Sequence, residues 1–90
     1  MRQPDNKKEY LAQLETKEYK DLPQKDQVLK YLAKHGSITN GEASAELGIM
    51  RLSARIEELR ADCWPISTEP LTGTNRFGHA TRYANYRMTV

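Results

Sequence analysis

Two groups of polar side chains have the chemistry that a nucleic-acid-binding protein needs. The first group is Arg51, Ser53 and Arg55. A guanidinium can place two N–H donors on the O6 and N7 atoms of guanine or on a phosphate, and a serine hydroxyl can bind either. The alternative is that both arginines pair with Glu58 and only solvate a helix. Glu57 and Glu58 would both oppose phosphates.

The second group is Arg76, His79 and Arg82, in a turn-rich stretch with few acidic residues. The chain has a formal net charge of +2, and residues 63–90 hold the whole excess, because their three arginines face only one acid, Glu69. Arginines in such a loop can follow a phosphate backbone or enter a narrow minor groove. The pattern therefore predicts a local phosphate-contacting surface near the C-terminal end.

Two other interpretations of this basic stretch are open. Its charged residues can form a solvated hairpin tip that contacts nothing. The run Asn75-Arg76-Phe77-Gly78 can instead be a structural turn. In that case Phe77 is expected to be an anchor rather than a platform on which bases stack.

Other kinds of chemistry lack the residues that they need. A zinc site is not expected, because one cysteine and two histidines are widely spaced along the chain. The sequence has no phosphate-binding loop, no dinucleotide motif and no Ser/His/Asp grouping, so we expect no enzyme activity, no cofactor and no small-molecule ligand. It has no apolar run for a membrane helix and no signal peptide, and Cys63, expected to be partly buried, suits a reducing cytoplasm.

The elements that position both groups follow from the apolar spacing. A first helix is predicted over 24–35, because apolar residues from Val28 to Leu32 recur on one face and Gly36 can end it. Ser37-Ile38-Thr39 is then expected to be an extended link.

The segment Thr39-Asn40-Gly41-Glu42 has two interpretations. Asn-Gly is typical of a hairpin turn, whereas Thr39 and Glu42 have the spacing of a capping box at a helix start. A helical pattern follows and an alternating strand does not, so a short second helix over about 40–47 is favoured.

A third helix is predicted over about 51–61, after a turn at Gly48. Leu52, Ile56 and Leu59 recur at the spacing of one buried helix face. A glycine permits a sharp turn, and the apolar residues on both sides of it would fix the angle between the helices. This pattern indicates a helix-turn-helix, a unit whose second helix enters the DNA major groove.

Beyond the third helix the apolar period becomes that of strands. Residues 64–69 and 82–88 predict an antiparallel pair joined by a long basic loop over about 70–82. Pro65 implies a sheet edge or the beginning of a strand, and Trp64 is expected to cover the edge of the core. The predicted fold class is therefore α+β, with three helices followed by a β-hairpin.

Residues 1–23 precede this domain as a charged arm. Their basic and acidic residues balance, and Tyr10 and Leu14 are four residues apart, so a partly helical arm and a disordered arm are equally expected. Because the apolar stripes all lie beyond Pro23, we expect residues 24–90 to fold without the arm.

The run from Gln24 to Met88 resembles a family of short winged helix-turn-helix proteins found in bacteriophages and prophages. The resemblance covers most of the chain and omits the arm. It is carried by Gly36-Ser37-Ile38-Thr39, Leu47-Gly48-Ile49, the run from Arg51 to Arg60, Asn75-Arg76-Phe77-Gly78 and Arg82-Tyr83-Ala84-Asn85-Tyr86. It implies DNA binding in a phage context, with the third helix in the major groove and the hairpin loop as a wing.

Two functions are expected from this pattern. The first is a phage or prophage DNA-binding protein, a regulator or accessory factor, whose partner is double-stranded DNA and whose small surface would gain from a homodimer. The second is a protein–protein interaction module on the same scaffold. The near-neutral helices and the acidic pair on the third helix keep the second function open.

Overall fold

The computed structural model describes residues 7–89. Residues 1–6, which begin the predicted arm, and Val90 lie outside the described residues. The elements are α1 (Lys7–Glu15), a 3-10 turn (Tyr19–Asp21), α2 (Gln24–His35), β1 (Ser37–Thr39), α3 (Asn40–Glu42) with a π-helical turn (Ala43–Leu47), α4 (Leu52–Ala61), β2 (Ile66–Thr74) and β3 (Ala80–Met88). The predicted α+β architecture is confirmed, since α2, α3 and α4 are the three predicted helices and β2 and β3 form the hairpin.

The core forms where α2 packs against α4. Val28 and Leu29 of α2 are fully buried, as are Ile56 and Leu59 of α4. Burial of each such side chain contributes about 1.5–3 kcal/mol to folding, so these two apolar stripes are the main source of stability. The spacing that predicted both helices therefore also identified the faces that they bury.

The hydrogen bonds at the start of α3 decide between the two interpretations of Thr39-Asn40-Gly41-Glu42, a hairpin turn or a capped helix. The backbone N–H of Glu42 donates to Thr39 Oγ1 at 3.2 Å, and the backbone N–H of Thr39 donates to Glu42 Oε1 at 2.9 Å. This reciprocal pair is the capping box, which satisfies two backbone donors at the helix start. The helix is confirmed and the hairpin turn is excluded. The second half of the predicted helix is a π-helical turn rather than an α-helix.

A short turn joins this helix to α4. Gly48 has a φ of 67°, a left-handed conformation that a residue with a Cβ adopts only at a cost. Its N–H donates to Ser44 O at 3.1 Å, and the N–H of Ile49 donates to Ala43 O at 3.0 Å. Ile49 and Ala43 are both buried, so the apolar side chains beside the turn fix the angle between the two helices. The helix-turn-helix is therefore present.

The sheet has three strands in the order β1-β3-β2, all antiparallel. The predicted link is a short strand, because Ile38 is buried opposite Tyr86 of β3. The predicted long loop over 70–82 is wrong: residues from Pro70 onward pair with β3, and only residues 75–79 lie between the strands. Residues 70–78 are rich in types that favour turns, but β2 is an edge strand, which tolerates a residue without an N–H such as Pro70.

Helix α1 and the 3-10 turn pack on the rest of the domain. Leu14 and Leu22 are buried in the core, so the expectation that all apolar residues of the core follow Pro23 is wrong. The ring of Tyr10 lies 5.9 Å from that of Trp64, which is itself buried. Helix α1 thus covers part of Trp64, since both Tyr10 and Lys7 of α1 lie beside its ring. The division of the chain at residue 23 stays a prediction.

Candidate nucleic-acid interface

The start of α4 exposes Arg51 and Ser53 together. Arg51 precedes the first residue of the helix, and its side chain caps no backbone N–H. Both residues are exposed, and the side chain of Arg51 forms no ion pair or hydrogen bond within residues 7–89. The N-terminal end of a helix carries a partial positive charge, which the Arg51 guanidinium strengthens. This end of α4 can therefore accept a phosphate or a base edge.

Arg55 is held by contacts within the protein. Its Nε lies 3.0 Å from Glu58 Oε1 in an ion pair that lacks hydrogen-bond alignment, while Nη2 donates to Glu58 Oε2 at 3.1 Å. Its Nη1 donates to Gln24 Oε1 of α2 at 3.2 Å. The structure thus places Arg55 in the pairing with Glu58 that was the alternative to a DNA contact. A DNA contact by Arg55 stays a prediction.

The sequence did not single out Arg60, which joins α4 to the hairpin. Its Nε donates to Ile66 O at 3.0 Å, and its Nη2 donates to Thr68 Oγ1 at 2.6 Å. It also pairs with Glu57 at 3.1 Å. The pairing with Glu57 could have been found from the i,i+3 spacing, but the contacts with β2 depend on the folded chain. Arg60 therefore sets the position of the hairpin relative to α4.

The hairpin turn is organised by Asn75. Its Oδ1 accepts the backbone N–H groups of Phe77 at 2.9 Å and of His79 at 3.0 Å. Its own N–H donates to His79 O at 2.9 Å, and Gly78 supplies the positive φ of 81° that closes the turn. This is the predicted structural turn, and Arg76 and His79 are exposed on it. The turn residues therefore form a fixed, basic tip.

Phe77 is not the expected anchor. It is 76% exposed at the tip, and the expectation was wrong because the bonds of Asn75, rather than the phenyl ring, hold the turn. Cys63 is also exposed rather than partly buried, since it follows α4 in a left-handed conformation with a φ of 70°.

Arg82 lies on β3, and its side chain is on the same face of the hairpin as that of the buried Tyr86. Because side chains alternate along a strand, residues paired across the hairpin share this face. A shallow groove of about 330 Å³ on it is lined by Thr68, Pro70, Arg82 and Ala84, with Tyr83 beside them. Thr68 is also the residue that Arg60 of α4 contacts, so one end of the groove lies beside that contact.

On the opposite face of the sheet, Arg87, the third arginine of this region, pairs with an acidic residue. Arg87 Nε donates to Glu69 Oε1 at 3.1 Å, and Asn85 Nδ2 donates to the same oxygen at 3.2 Å. The hydrogen bond from Arg87, with that from Asn85 next, lowers the pKa of Glu69. Since this pair cancels, the charge excess of the hairpin belongs to Arg76 and Arg82, neither of which forms an ion pair in the described part of the chain.

Five of the six predicted site residues thus form two groups. Arg51 and Ser53 lie together at the start of α4, while Arg76 and His79 share the hairpin turn with Arg82 further down β3. Arg55 is drawn away toward α2 by Gln24.

Two further findings concern the kind of site. Within residues 7–89, no three histidine, cysteine, aspartate or glutamate side chains come close enough to hold a metal ion. In the same residues, no helix has the length and apolar character to cross a membrane.

Comparison with known proteins gives one match. A family model described as a winged helix-turn-helix domain matches residues 23–90. No curated protein matches the chain, and no solved structure matches it.

Proposed function

Because the chain belongs to the family of winged helix-turn-helix domains, which suggests DNA binding, we propose that it binds double-stranded DNA through the start of α4 and the hairpin turn. In this mode the start of α4 enters the major groove. The hairpin acts as a wing on the adjacent backbone or minor groove. The turn at residues 75–79 and Arg82 together form the contacting part of the wing.

One observation carries the proposal, which is the distribution of unpaired positive charge. Arg55, Arg60 and Arg87 each pair with a glutamate, whereas Arg51, Arg76 and Arg82 form no ion pair within residues 7–89. The three unpaired arginines belong to the two elements that this fold brings to DNA. Release of counterions from phosphates on contact with such side chains supplies much of the affinity of DNA-binding proteins.

The start of α4 is proposed to read bases. Arg51 can form two parallel hydrogen bonds with guanine, and Ser53 can bond to a base or a phosphate. The acidic residues of α4 lie further along the helix, and Arg55 and Arg60 neutralise them. This arrangement favours an approach in which the N-terminal end of α4 is the part nearest to the DNA.

The biological role is proposed from the resemblance to phage and prophage proteins. We propose a regulator of transcription or an accessory DNA-binding factor that works in the cytoplasm without a cofactor and without catalysis. Its contacting surface is small, and a homodimer would double it, as is common among domains of this size.

Fluorescence anisotropy with a labelled random duplex at several salt concentrations tests the proposal. We expect the wild type to bind at low salt and to weaken steeply as salt rises. The Arg76→Ala/Arg82→Ala variant should lower the slope of log K against log salt by about 0.9 for each phosphate contact removed. Arg51→Ala should weaken binding as well. Arg87→Ala is the matched control, because it removes the same charge from the opposite face of the same strand.

The alternative function, a protein–protein interaction module, is favoured by one observation. Glu57 of α4 is 72% exposed even though it pairs with Arg60, so its carboxylate is accessible to a protein partner. If the wild type does not bind duplex DNA at low salt, the DNA-binding proposal fails and the interaction module replaces it.

A further inference from the structure

We propose that Phe77 inserts between two base pairs from the minor groove, where it partly unstacks them and bends the duplex. The inference rests on the proposed DNA binding and adds a residue that would sense how easily the DNA deforms. Apolar side chains of this kind act as wedges in several proteins that bind the minor groove.

The first support is the exposure of the ring. Phe77 is 76% exposed, more than Tyr83 at 44% or Leu71 at 36% on the same hairpin. Such a ring contributes little to the stability of the fold, because folding buries only a small part of its surface. Its phenyl group is therefore available to a partner.

The second support is the rigidity of the turn that carries the ring. Asn75 accepts two backbone N–H groups, one of them from Phe77 itself, and it closes the turn through its own N–H. A side chain on a fixed turn loses less conformational entropy on insertion than one on a loose loop. The bonds of Asn75 therefore prepare Phe77 to act as a wedge.

The third support is the reach of the hairpin. The paired residues from Pro70 to Thr74 extend beyond Ile66 and Tyr86, which are buried, and contribute about 17 Å at about 3.3 Å for each residue. The turn at residues 75–79 closes the far end of this paired segment, so the exposed Phe77 side chain is presented at the tip of the hairpin.

The fourth support is the charge beside the ring. Arg76 and His79 flank Phe77 on the exposed turn, and no acidic residue follows Glu69 in the sequence. The minor groove of A·T-rich DNA has a negative potential that attracts such side chains. An apolar ring between basic groups matches a groove with negative walls and an apolar stack of bases at its floor.

The test uses two labelled duplexes that differ only at the tested base steps. Each carries 2-aminopurine beside the tested step and a donor and acceptor pair at its ends. One duplex contains flexible TA steps, and the other contains stiff A-tract steps in the same places. We compare the wild type with the variants Phe77→Ala, Phe77→Leu and Arg76→Ala. Thermal melts check that each variant still folds, as expected for substitutions at exposed positions.

We expect the wild type to raise 2-aminopurine fluorescence, to shorten the distance between the duplex ends, and to prefer the TA duplex. Phe77→Ala should lose all three effects and bind the TA duplex about tenfold more weakly, while its salt slope stays unchanged. Phe77→Leu should restore most of the bend. Arg76→Ala should show the reverse pattern, with a smaller salt slope and an unchanged bend.

Four outcomes would overturn the inference. If the wild type binds duplex DNA without unstacking or bending it, or if Phe77→Ala behaves as the wild type does, Phe77 is no wedge and the proposed function stands. If Phe77→Ala leaves DNA binding intact but abolishes binding to anionic lipid vesicles, the ring belongs to a membrane contact. If the wild type binds no duplex at low salt, the proposed function itself fails.

Discussion

The hydroxyl of Tyr10 donates a 2.8 Å hydrogen bond to Oδ1 of Asp26, and this bond joins α1 to the first turn of α2. Burial of the phenol, and then the bond to Asp26, raise the pKa of Tyr10 to about 12. The ring also packs near Trp64, whose other neighbour is the ammonium group of Lys7, 5.4 Å from the ring centre. The N-terminal helix is thus tied to the domain by specific polar contacts as well as by apolar ones.

Replacement of Tyr10 by Phe should lower the free energy of unfolding by about 1.5–3 kcal/mol at neutral pH, as is typical for a bond to a charged acceptor. The raised pKa means that the folded protein holds the phenol proton more tightly. This stabilisation is fully present below pH 10 and is lost as pH rises toward about 12. Urea unfolding of wild type and Tyr10→Phe should therefore differ less at high pH. An equal difference at both pH values would contradict the assignment.

A chain that begins at Pro23 should still unfold cooperatively but at a lower urea concentration. The stripes of α2 and α4 remain intact, and the winged helix-turn-helix match begins at residue 23. The loss of buried Leu14 and Leu22 should reduce the free energy of unfolding by about 3–6 kcal/mol. Loss of the cooperative transition would show instead that residues 7–22 belong to the domain.

In the full chain, Leu14→Ala should lower the free energy of unfolding by about 2–4 kcal/mol, whereas Gln13→Ala, at the exposed neighbouring position, should change it little.

Alanine substitutions at two glycines should change stability in opposite directions. A Cβ on Gly48 would meet no atom within 4 Å, so Gly48→Ala should cost about 1–2 kcal/mol through its left-handed φ alone. Gly41 lies in α3 without a positive φ, and a Cβ there would make an ordinary contact with Thr39 Oγ1 at 3.9 Å. Gly41→Ala should therefore stabilise the protein by about 0.5–1 kcal/mol. Thermal melts of the two variants and the wild type measure the difference.

Glu69→Gln should change how the protein responds to acid. The lowered pKa of Glu69 means that its contribution to stability is present above pH 4.5 and is lost as pH falls through the lower pKa of the folded state. The wild type should consequently lose stability more steeply than Glu69→Gln below pH 4.5, in melts at a series of pH values. Arg87→Ala removes the hydrogen bond that is the main cause and should flatten the profile in the same way. Parallel profiles would contradict this.

The local signals in the sequence predicted most of the helical part. The capping box of Thr39 and Glu42, the turn at Gly48 and the stripe from Leu52 to Leu59 each depend on residues within a few positions of one another. The hairpin was predicted with too long a loop, because Pro70 is a turn signal unless its strand lies at an edge. That condition depends on the order of the sheet, which is set by pairing with distant residues.

The site was predicted less completely for the same reason. The exposed positions of Arg51 and Arg76 agree with the roles expected of them, and those roles stay predictions. The pairing of Arg55 with Gln24 joins residues 31 positions apart, and Arg60 reaches the backbone of β2. Neither contact has a local signature. Phe77 was expected to be an anchor because an aromatic residue in a turn usually packs, and only the hydrogen bonds of Asn75 show that this turn needs no packing.

Pro70 has a consequence for solubility. A sheet of three strands has two open edges, and an edge with free N–H and C=O groups can add a strand from another molecule. One edge here is β1, which is three residues long, and the other is the nine-residue β2, which Pro70 interrupts near its middle. A proline has no N–H to donate to a ladder of hydrogen bonds. The residue that obscured the strand in the sequence thus protects the longest exposed edge of the protein against amyloid-like aggregation.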